Sequence, residues 1–582
     1  MDNGTHSKKL TLSACTTATD DLGRELPAGV EAPGKRKDRC VGLFYFLWCG
    51  EHSKDLRPLD ITKLLSADPK AGYRPDAPEW GEYSVMHHWG EPLFGYYFTK
   101  DEWVMRRHVE MLTYADIDFL VFDTTNAVIY ENSAKMMLRL LSEYRAMGFN
   151  TPRAMFYTNT ASGKTAQLLY ERIYSVNYMA DSWFMVDGKP LIIAKEEECS
   201  PEVREFFTIK MSQWPNEPTK QGGWPWMDFE RPQRVFKNLK GEEEIINVSV
   251  AQHPQIHFGD SAMYGETANR GRSYHNGAED RSEGAWKYGY NFQEQWDRAL
   301  ETTPPYVFVT GWNEWIAGRW GGTPERPLSF VDCADLEYSR DAEPMRGGYF
   351  DNYYMQLIAN VRKYKGYSDP ANCPVLPENI DGGKADVSAE RLKECGLTFM
   401  NFPKGSFRRD CDGYSTHYTD DSGRNAIVSA TVAQDNDNIY FLAETAAPLE
   451  KYDFHSAWMQ LFLEIKNLSD PARTGDKRWH GYNFLAGGYQ FTDNTATLEK
   501  CILESNSLEA DTFRPCAVVN YEFADNHLIY TVPKAAVGIG ASDRYRIGFK
   551  WMDSRTRVRG MEDFYTSGDA APIGRLNYTF EG

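Results

Sequence analysis

The sequence predicts an α/β fold: a (β/α)8 TIM barrel followed by an all-β sandwich domain. Three observations carry this prediction. Continuous apolar runs alternate with amphipathic helical patterns between residues 41 and 366; a Pro-, Gly-, Asn- and Asp-rich stretch interrupts the chain at 366–383; and short alternating strands separated by turn residues fill the remainder. About eight strand–helix units over roughly 325 residues fit a closed barrel better than an open doubly wound sheet. The expected organisation is a polar N-terminal tail at 1–40, a barrel at 41–368, a linker at 369–383 and a sandwich at 384–582.

VGLFYFLW (41–48) is an unbroken apolar run, as expected of a strand buried on both faces of a parallel sheet. DEWVMRRHVEMLTYA (101–115) sets Val104, His108, Met111, Leu112 and Ala115 on one helical face, with Asp101 as N-cap. Strand FLVFD (119–123), helix 133–148 and strand RAMFYT (153–158) continue the alternation. A helix TAQLLYERIY, a hairpin turning at Asp187-Gly188, helix PEVREFF and strand FTIKMSQW follow. The series closes with strand 245–252, helix 292–300, strand 306–312, a short strand LSFVD (328–332) and helix 348–366. Past the linker, AIVSATVAQ, IYFLAET, WMQLFLEI, CAVVNYEF, HLIYTVP and YRIGFKW read as sandwich strands.

Of 582 residues, 64 are basic and 83 acidic, a formal charge of −19, which disfavours a nucleic-acid binder. No run reaches the roughly 18 apolar residues of a membrane span. The ten cysteines contain no C-x-x-C pair, so neither a zinc site nor another metal or cofactor is expected. Lys8 and Lys9 before LTLSAC resemble the end of a bacterial lipoprotein signal at Cys15, with an apolar segment too short for a working one. An extracytoplasmic protein, periplasmic or surface-anchored, is the expected localisation. Aromatic residues make up 14% (31 Phe, 16 Trp, 34 Tyr), and flat rings either fill interiors or stack on sugars.

Barrel active sites lie at the C-terminal ends of the strands, so polar residues just past each apolar run are the candidates. The first strand leads to Trp48, Glu51 and His52, with His87, His88, Trp89 and Glu91 in the next loop. Strand 119–123 ends in Asp123, with Thr125 and Asn126 beyond it. Strand 245–252 leads into His253, and strand 306–312 into Trp312, Asn313, Glu314 and Trp315. A carboxylate between two tryptophans has the dry surroundings that raise its pKa and rings placed for a sugar. The plainer alternative is a structural Glu314 bonded to a neighbouring loop. Trp224 and Trp226 in GGWPWMDF are candidates for a sugar platform or for burial. Arg270, Arg272 and His275 in NRGRSYHNG offer guanidinium forks for an anionic sugar or anchors for the loop.

The WNEW element (312–315) after an apolar strand, the early FYFLW strand and the VDGKP hairpin (186–190) together resemble the glycoside hydrolase family 99-like group, which includes the endo-α-mannosidases and a branch linked to bacterial polysaccharide gene clusters. The resemblance spans roughly 41–366. It implies a glycosidase whose first glutamate acts as a base on the substrate 2-hydroxyl, giving an epoxide intermediate, and whose second, three residues later, serves as acid/base. The first position is Glu314. The second is Ala317, which transfers no proton, so another carboxylate must complete the pair. Glu91 and Asp123 are the leading candidates, followed by Asp335, Glu337, Asp341 and Glu343. The Glu337, Arg340 and Asp341 group also reads as an ion-pair network holding a loop.

The C-terminal strands, with WHGYNF and GFKWMD, resemble carbohydrate-binding-module family 9-like or DOMON-like sandwiches. There Trp458, Trp479, Tyr482 and Trp551 either contact glycan or fill the core. Three motifs are set aside. ASGKT (161–165) lacks the first glycine of a phosphate loop. His253 and His257 are separated by Pro254, which breaks the helix a metal pair needs. DNDN (435–438) reads as a hairpin turn. The function expected is glycoside hydrolysis in a complex polysaccharide or oligosaccharide. Two alternatives stand beside it: a non-catalytic glycan-binding protein with a degenerate site, and a glycosyltransferase-like polysaccharide-assembly factor.

Overall fold

The structure is a computed structural model. It describes every residue except 1–15, 29–33, 53–56, 253–263, 265–268, 378–386, 405–406, 453–454, 506 and 509–511, and the side chains of 490 and 491. His253, His257 and Cys15 therefore lie outside the described residues. Two compact units are present. One comprises Val30–Tyr367 with Cys411–Tyr418; the other comprises Met1–Gly29, Ser368–Asp410 and Thr419–Gly582.

The first unit is built on one nearly closed barrel sheet. Its strands are β1 (Cys40–Tyr45), β2 (Phe119–Thr124), β3 (Arg153–Thr158), β4 (Lys189–Ala194), β5 (Thr208–Gln213), β6 (Gly223–Pro225), β7 (Val235–Lys237), β8 (Glu243–Ser249) and β9 (Tyr306–Thr310). They run in the order β6-β5-β4-β3-β2-β1-β9-β8-β7, parallel throughout except for β7. At the seam, the Gly222 amide donates to the Lys237 carbonyl at 2.8 Å, linking the β6 and β7 edges. Helices α1 (Glu102–Tyr114), α2 (Glu131–Ala146), α3 (Ser162–Leu169), α4 (Pro201–Phe206), α5 (Tyr290–Thr302) and α6 (Asn352–Lys365) follow strands as crossovers. Among the described residues, no helix separates β5, β6, β7 and β8, so the strict strand–helix alternation fails there.

LSFVD was expected to be a barrel strand, and the structure corrects this. Leu328–Phe330 pairs antiparallel with Ile316–Gly321, which in turn pairs with Met86–His88, in a separate small sheet. A short apolar alternation fixes a strand but not its partner, and the WNEW turn folds back on itself before that strand begins.

Inward residues follow the strand period of two: Phe44 and Phe46, Phe119 and Val121, Met155 and Tyr157, Leu191 and Ile193. Trp224, Trp226 and Phe308 join them, so the interior is packed with rings. The inward side of β1 makes room at Gly42, where an added Cβ would lie 2.0 Å from the Phe119 ring.

The second unit is a largely antiparallel sheet with a large buried cluster and a smaller one around Leu376, Leu392 and Leu442. Its long strands include Ile427–Gln434, Asn438–Thr445, Ala457–Asn467, Phe484–Thr492, Phe513–Ala524 and Tyr545–Ser554. Trp458, Trp479 and Trp551 are buried at 1%, 0% and 0% exposure, so these proposed glycan contacts are core. Trp551 stacks on Tyr530 at 5.5 Å, and the buried Tyr482 hydroxyl donates to Asn577 at 2.6 Å. The polar start of the chain also belongs here: Thr16–Thr17 pairs with Asn577–Tyr578, and Ala371–Asn372 from the expected linker pairs with Phe580–Glu581. No disulfide joins the nine described cysteines to one another. Among the described residues, no helix is long and apolar enough to cross a membrane.

Candidate active site

The turn after β9 is fastened to the end of β1. The Asn313 amide accepts from the Phe46 amide at 2.8 Å and donates to the Phe46 carbonyl at 3.0 Å, acting as a short strand partner. The Glu314 amide donates to Asp341 Oδ1 at 2.7 Å, and its carbonyl accepts from Trp89 Nε1 at 2.9 Å. These bonds fix the Glu314 backbone on both sides and aim its side chain at Arg340, whose Nη2 pairs with Glu314 Oε2. Glu314 Oε1 has no partner among the described residues. Arg340 also lies 3.4 Å from Asp332, and its guanidinium sits 5.1 Å from the Trp226 ring.

Asp123, at the end of β2, reaches the same neighbourhood: Asp332 and Arg340 both act on its charge. The Thr125 amide donates to its Oδ1 at 3.0 Å. Burial pushes the Asp123 carboxyl up to about 6, with the Asp332 charge adding to this and the Thr125 bonds and Arg340 opposing it. Asp341 is likewise raised to about 6 by burial, against the Glu314 amide bond and Arg340. Glu314 is raised well above the usual carboxylate range: burial dominates, Arg340 opposes it, and Asp332 and Asp341 reinforce it. Four carboxylates thus surround one guanidinium in a dry setting that favours keeping a proton. Such a group can hold one acid protonated and another ionised near neutral pH.

At the rim, His52 Nε2 meets the Tyr130 hydroxyl at 2.5 Å, and Asn126 Nδ2 donates to the same hydroxyl at 2.5 Å. The Trp48 and His52 rings meet edge to face at 5.8 Å. Burial lowers the His52 pKa and raises that of Tyr130, so a neutral imidazole faces a neutral phenol. Trp48, His52 and Asn126 therefore stay together beside Asp123. Tyr130 is a member the sequence did not signal; it immediately precedes α2, in the left-handed region at φ 46°.

Other candidates are displaced from contact with a ligand. Trp312 and Trp315 are fully buried: Trp315 stacks on Trp89 at 4.3 Å and donates to Glu343 at 2.5 Å, while His108 and Tyr354 pack edge to face on Trp312. These indoles hold the turn rigid, because their faces are covered by protein. Trp224 lies inside the barrel with its Nε1 donating to Glu244 at 2.9 Å, and Trp226 forms the floor beneath Arg340. His88 is packed between Tyr96 and Tyr414 at 4.8 and 4.6 Å, and burial lowers its pKa to about 3, ahead of repulsion from His87 and Lys63. Glu91 is engaged by Lys63 at 2.5 Å and faces Arg346 at 3.8 Å.

Within NRGRSYHNG, Arg272 is an anchor. It is buried against Tyr349 and Tyr353 at 4.6 and 4.4 Å and donates to Ser339 and to the Asp341 carbonyl at 2.8 Å. It thereby holds the segment that carries Arg340. His275 packs on Tyr290 at 4.2 Å and bonds its own loop at Ser273. Arg270 alone of the three faces a groove. Glu337 accepts from the Ser273 amide and hydroxyl, so it closes this loop away from Glu314.

No family model matches the chain, and no curated protein resembles it in sequence. Among solved structures, a GH99 endo-alpha-mannosidase from Bacteroides thetaiotaomicron aligns over 56% of this chain and 98% of its own, at 15% identity and a TM-score of 0.34. A structure of a GH99 endo-alpha-mannosidase in complex with BIS-TRIS-Propane aligns over 56% of this chain and 97% of its own, at 15% identity and a TM-score of 0.32. Superpositions this loose add nothing to the roles of individual residues.

Proposed function

We propose that the chain hydrolyses a glycosidic bond in a complex glycan, using Glu314 and Asp123 at the C-terminal end of the barrel sheet. The observation that supports this is the pairing of two buried carboxylates, both raised in pKa, around a shared Arg340 and Asp332. Strands β2 and β9 flank β1, so two interstrand steps of about 4.8 Å set their backbones about 10 Å apart. Glu314, the more strongly raised, is the general acid, its proton carried on Oε1 while Oε2 accepts from Arg340. Asp123, at about 6, is ionised at neutral pH and acts as base or nucleophile.

A second reading has its own support. The Glu314–Arg340 pair is almost fully buried, and Ala317 is drawn into a strand opposite His87, as suits a glycan-binding protein that has lost its chemistry. Release of reducing ends from a panel of polysaccharides, paired with binding of the same glycans, separates the two. Hydrolysis predicts that Glu314→Gln loses about 10²–10⁴ in rate while keeping its affinity. A Glu314→Gln protein that cleaves like the wild type refutes the assignment. A wild type that binds a glycan and releases nothing from it favours the binder.

A further inference from the structure

On the barrel unit, a groove of about 700 Å³ runs from Arg231, Arg270 and Tyr274, past the C-terminal ends of β6 and β8, along α5, where Glu294, Asp297, Arg298 and Glu301 border it. Its cations are not equivalent. Arg231 is neutralised by Glu294 and also donates to Asn291 at 2.6 Å. Arg298 is paired with Glu301 at 2.7 Å. Arg270 donates to uncharged acceptors, the Phe229 carbonyl at 3.2 Å and Gln252 Oε1 at 3.4 Å, and also bonds Tyr274, and among the described residues no carboxylate pairs with it.

Arg231 bonds the same Gln252 oxygen at 3.4 Å, so the two guanidinium groups are held within about 7 Å of each other, inside the roughly 8 Å screening length at physiological salt. Both lie over the Tyr274 ring, at 4.8 and 5.8 Å, which fixes their planes at the groove wall. Burial lowers the Arg270 pKa first and the neighbouring Arg231 charge lowers it further, with Tyr274 and Glu230 opposing them, so Arg270 carries a charge held without a directly paired carboxylate among the described residues. Gln252 is itself locked, donating to the Asp228 carbonyl at 2.5 Å and bridged through its backbone to Arg270 in both directions at 2.8 Å. The fork is therefore built before any ligand arrives.

We propose that this groove takes an anionic sugar substituent, a uronate carboxylate or a sulfate ester, gripped by Arg270 with Arg231 beside it. A planar guanidinium meets two oxygens of either group with parallel hydrogen bonds. The proposal rests on the glycan-acting reading above and gives its substrate class as acidic. Arg231 and Arg270 follow β6 and β8 at the end of the sheet that carries Glu314, and the groove runs from them along α5.

The test uses the full chain carrying Glu314→Gln, so that binding is read without turnover. Calorimetry with oligogalacturonate, with sulfated dextran oligosaccharide and with uncharged mannan oligosaccharide is run at low and high salt. The expected result is tighter binding of one acidic probe than of the neutral one, weakened by salt. Adding Arg270→Ala should cost about tenfold or more in affinity, Arg270→Lys less, and Arg298→Ala about twofold at most. The acidic probe that binds identifies whether carboxylate or sulfate is the natural group. Equal binding of acidic and neutral probes, or unchanged affinity in Arg270→Ala, overturns the proposal. If Arg270→Ala does not fold, a loss in Arg270→Lys and the salt dependence decide in the same way. Acidic binding without hydrolysis by the wild type removes the catalytic reading and leaves the groove; hydrolysis of a neutral glycan without acidic preference does the reverse.

Discussion

Replacing Asp123 with Asn should change how stability depends on pH, by an amount the structure sets. The folded protein holds the Asp123 carboxyl near 6, against 3.8 for the unperturbed group, so the folded state binds the proton more tightly than the unfolded chain. For a raised acid, the stabilising contribution is complete below about 3.8 and is lost as pH rises through about 6. Over the full window a shift of that size corresponds to about 3 kcal/mol, and between pH 4.5 and 7.5 to about 2 kcal/mol. Asparagine does not titrate. It keeps an oxygen for the Thr125 amide at 3.0 Å but brings an amide donor into the buried cluster, a pH-independent penalty of about 1–3 kcal/mol. The observable is therefore the change in the difference between variant and wild type, not the difference itself. Urea titrations of the barrel transition, followed by fluorescence of its buried tryptophans, should show Asp123→Asn gaining about 2 kcal/mol on the wild type from pH 4.5 to 7.5. A difference that stays constant, or that moves against the variant as pH rises, refutes the buried raised carboxyl.

Two further predictions follow from the same geometry. Arg340→Met strips the counterion from Asp332 and the hydrogen-bond donor from Glu314 Oε2 and should destabilise the barrel unit by about 3–5 kcal/mol in denaturant titration at neutral pH; a cost under about 1 kcal/mol would show that Arg340 does not organise the cluster. Glu91→Gln breaks only the pairs to Lys63, which is 60% exposed, and to Arg346, so stability should fall by less than about 1 kcal/mol and hydrolysis should stay within about twofold. A hundredfold rate loss there would move the second catalytic carboxylate to Glu91.

What the sequence conveys well is whatever repeats along a strand or helix. VGLFY and FLVF are apolar without alternation because both faces of a parallel sheet are covered, and they fall where expected in β1 and β2. Gly223–Pro225 escapes notice because three residues show no period, and it occupies the sheet between β5 and the seam. The tryptophans illustrate a second limit. Trp89, Trp224, Trp312 and Trp315 look like sugar platforms because they adjoin carboxylates in sequence, yet each is covered by another ring or by the barrel wall. Sequence adjacency to Glu314 reports which residues build its turn, not which face a ligand. The partners that set its chemistry come from farther along: Arg340 is 26 residues away and Asp341 27. An interleaving of charges at 335–343 suggests ion pairing, which holds for Arg340, but nothing local tells which carboxylates the guanidinium will meet. Tyr130 and Tyr414 carry no motif at all and are brought in by the chain's return.

The claim that Glu314 and Asp123 act as one catalytic pair is tested most directly by kcat/KM for Glu314→Gln, Asp123→Asn and the double variant on a glycan that the wild type cleaves. Members of a single machine lose rate non-additively. Each single change should cost about 10²–10⁴, and the double variant should fall no more than about tenfold below the weaker single. Losses that multiply in the double variant, or wild-type activity in either single one, would contradict the account.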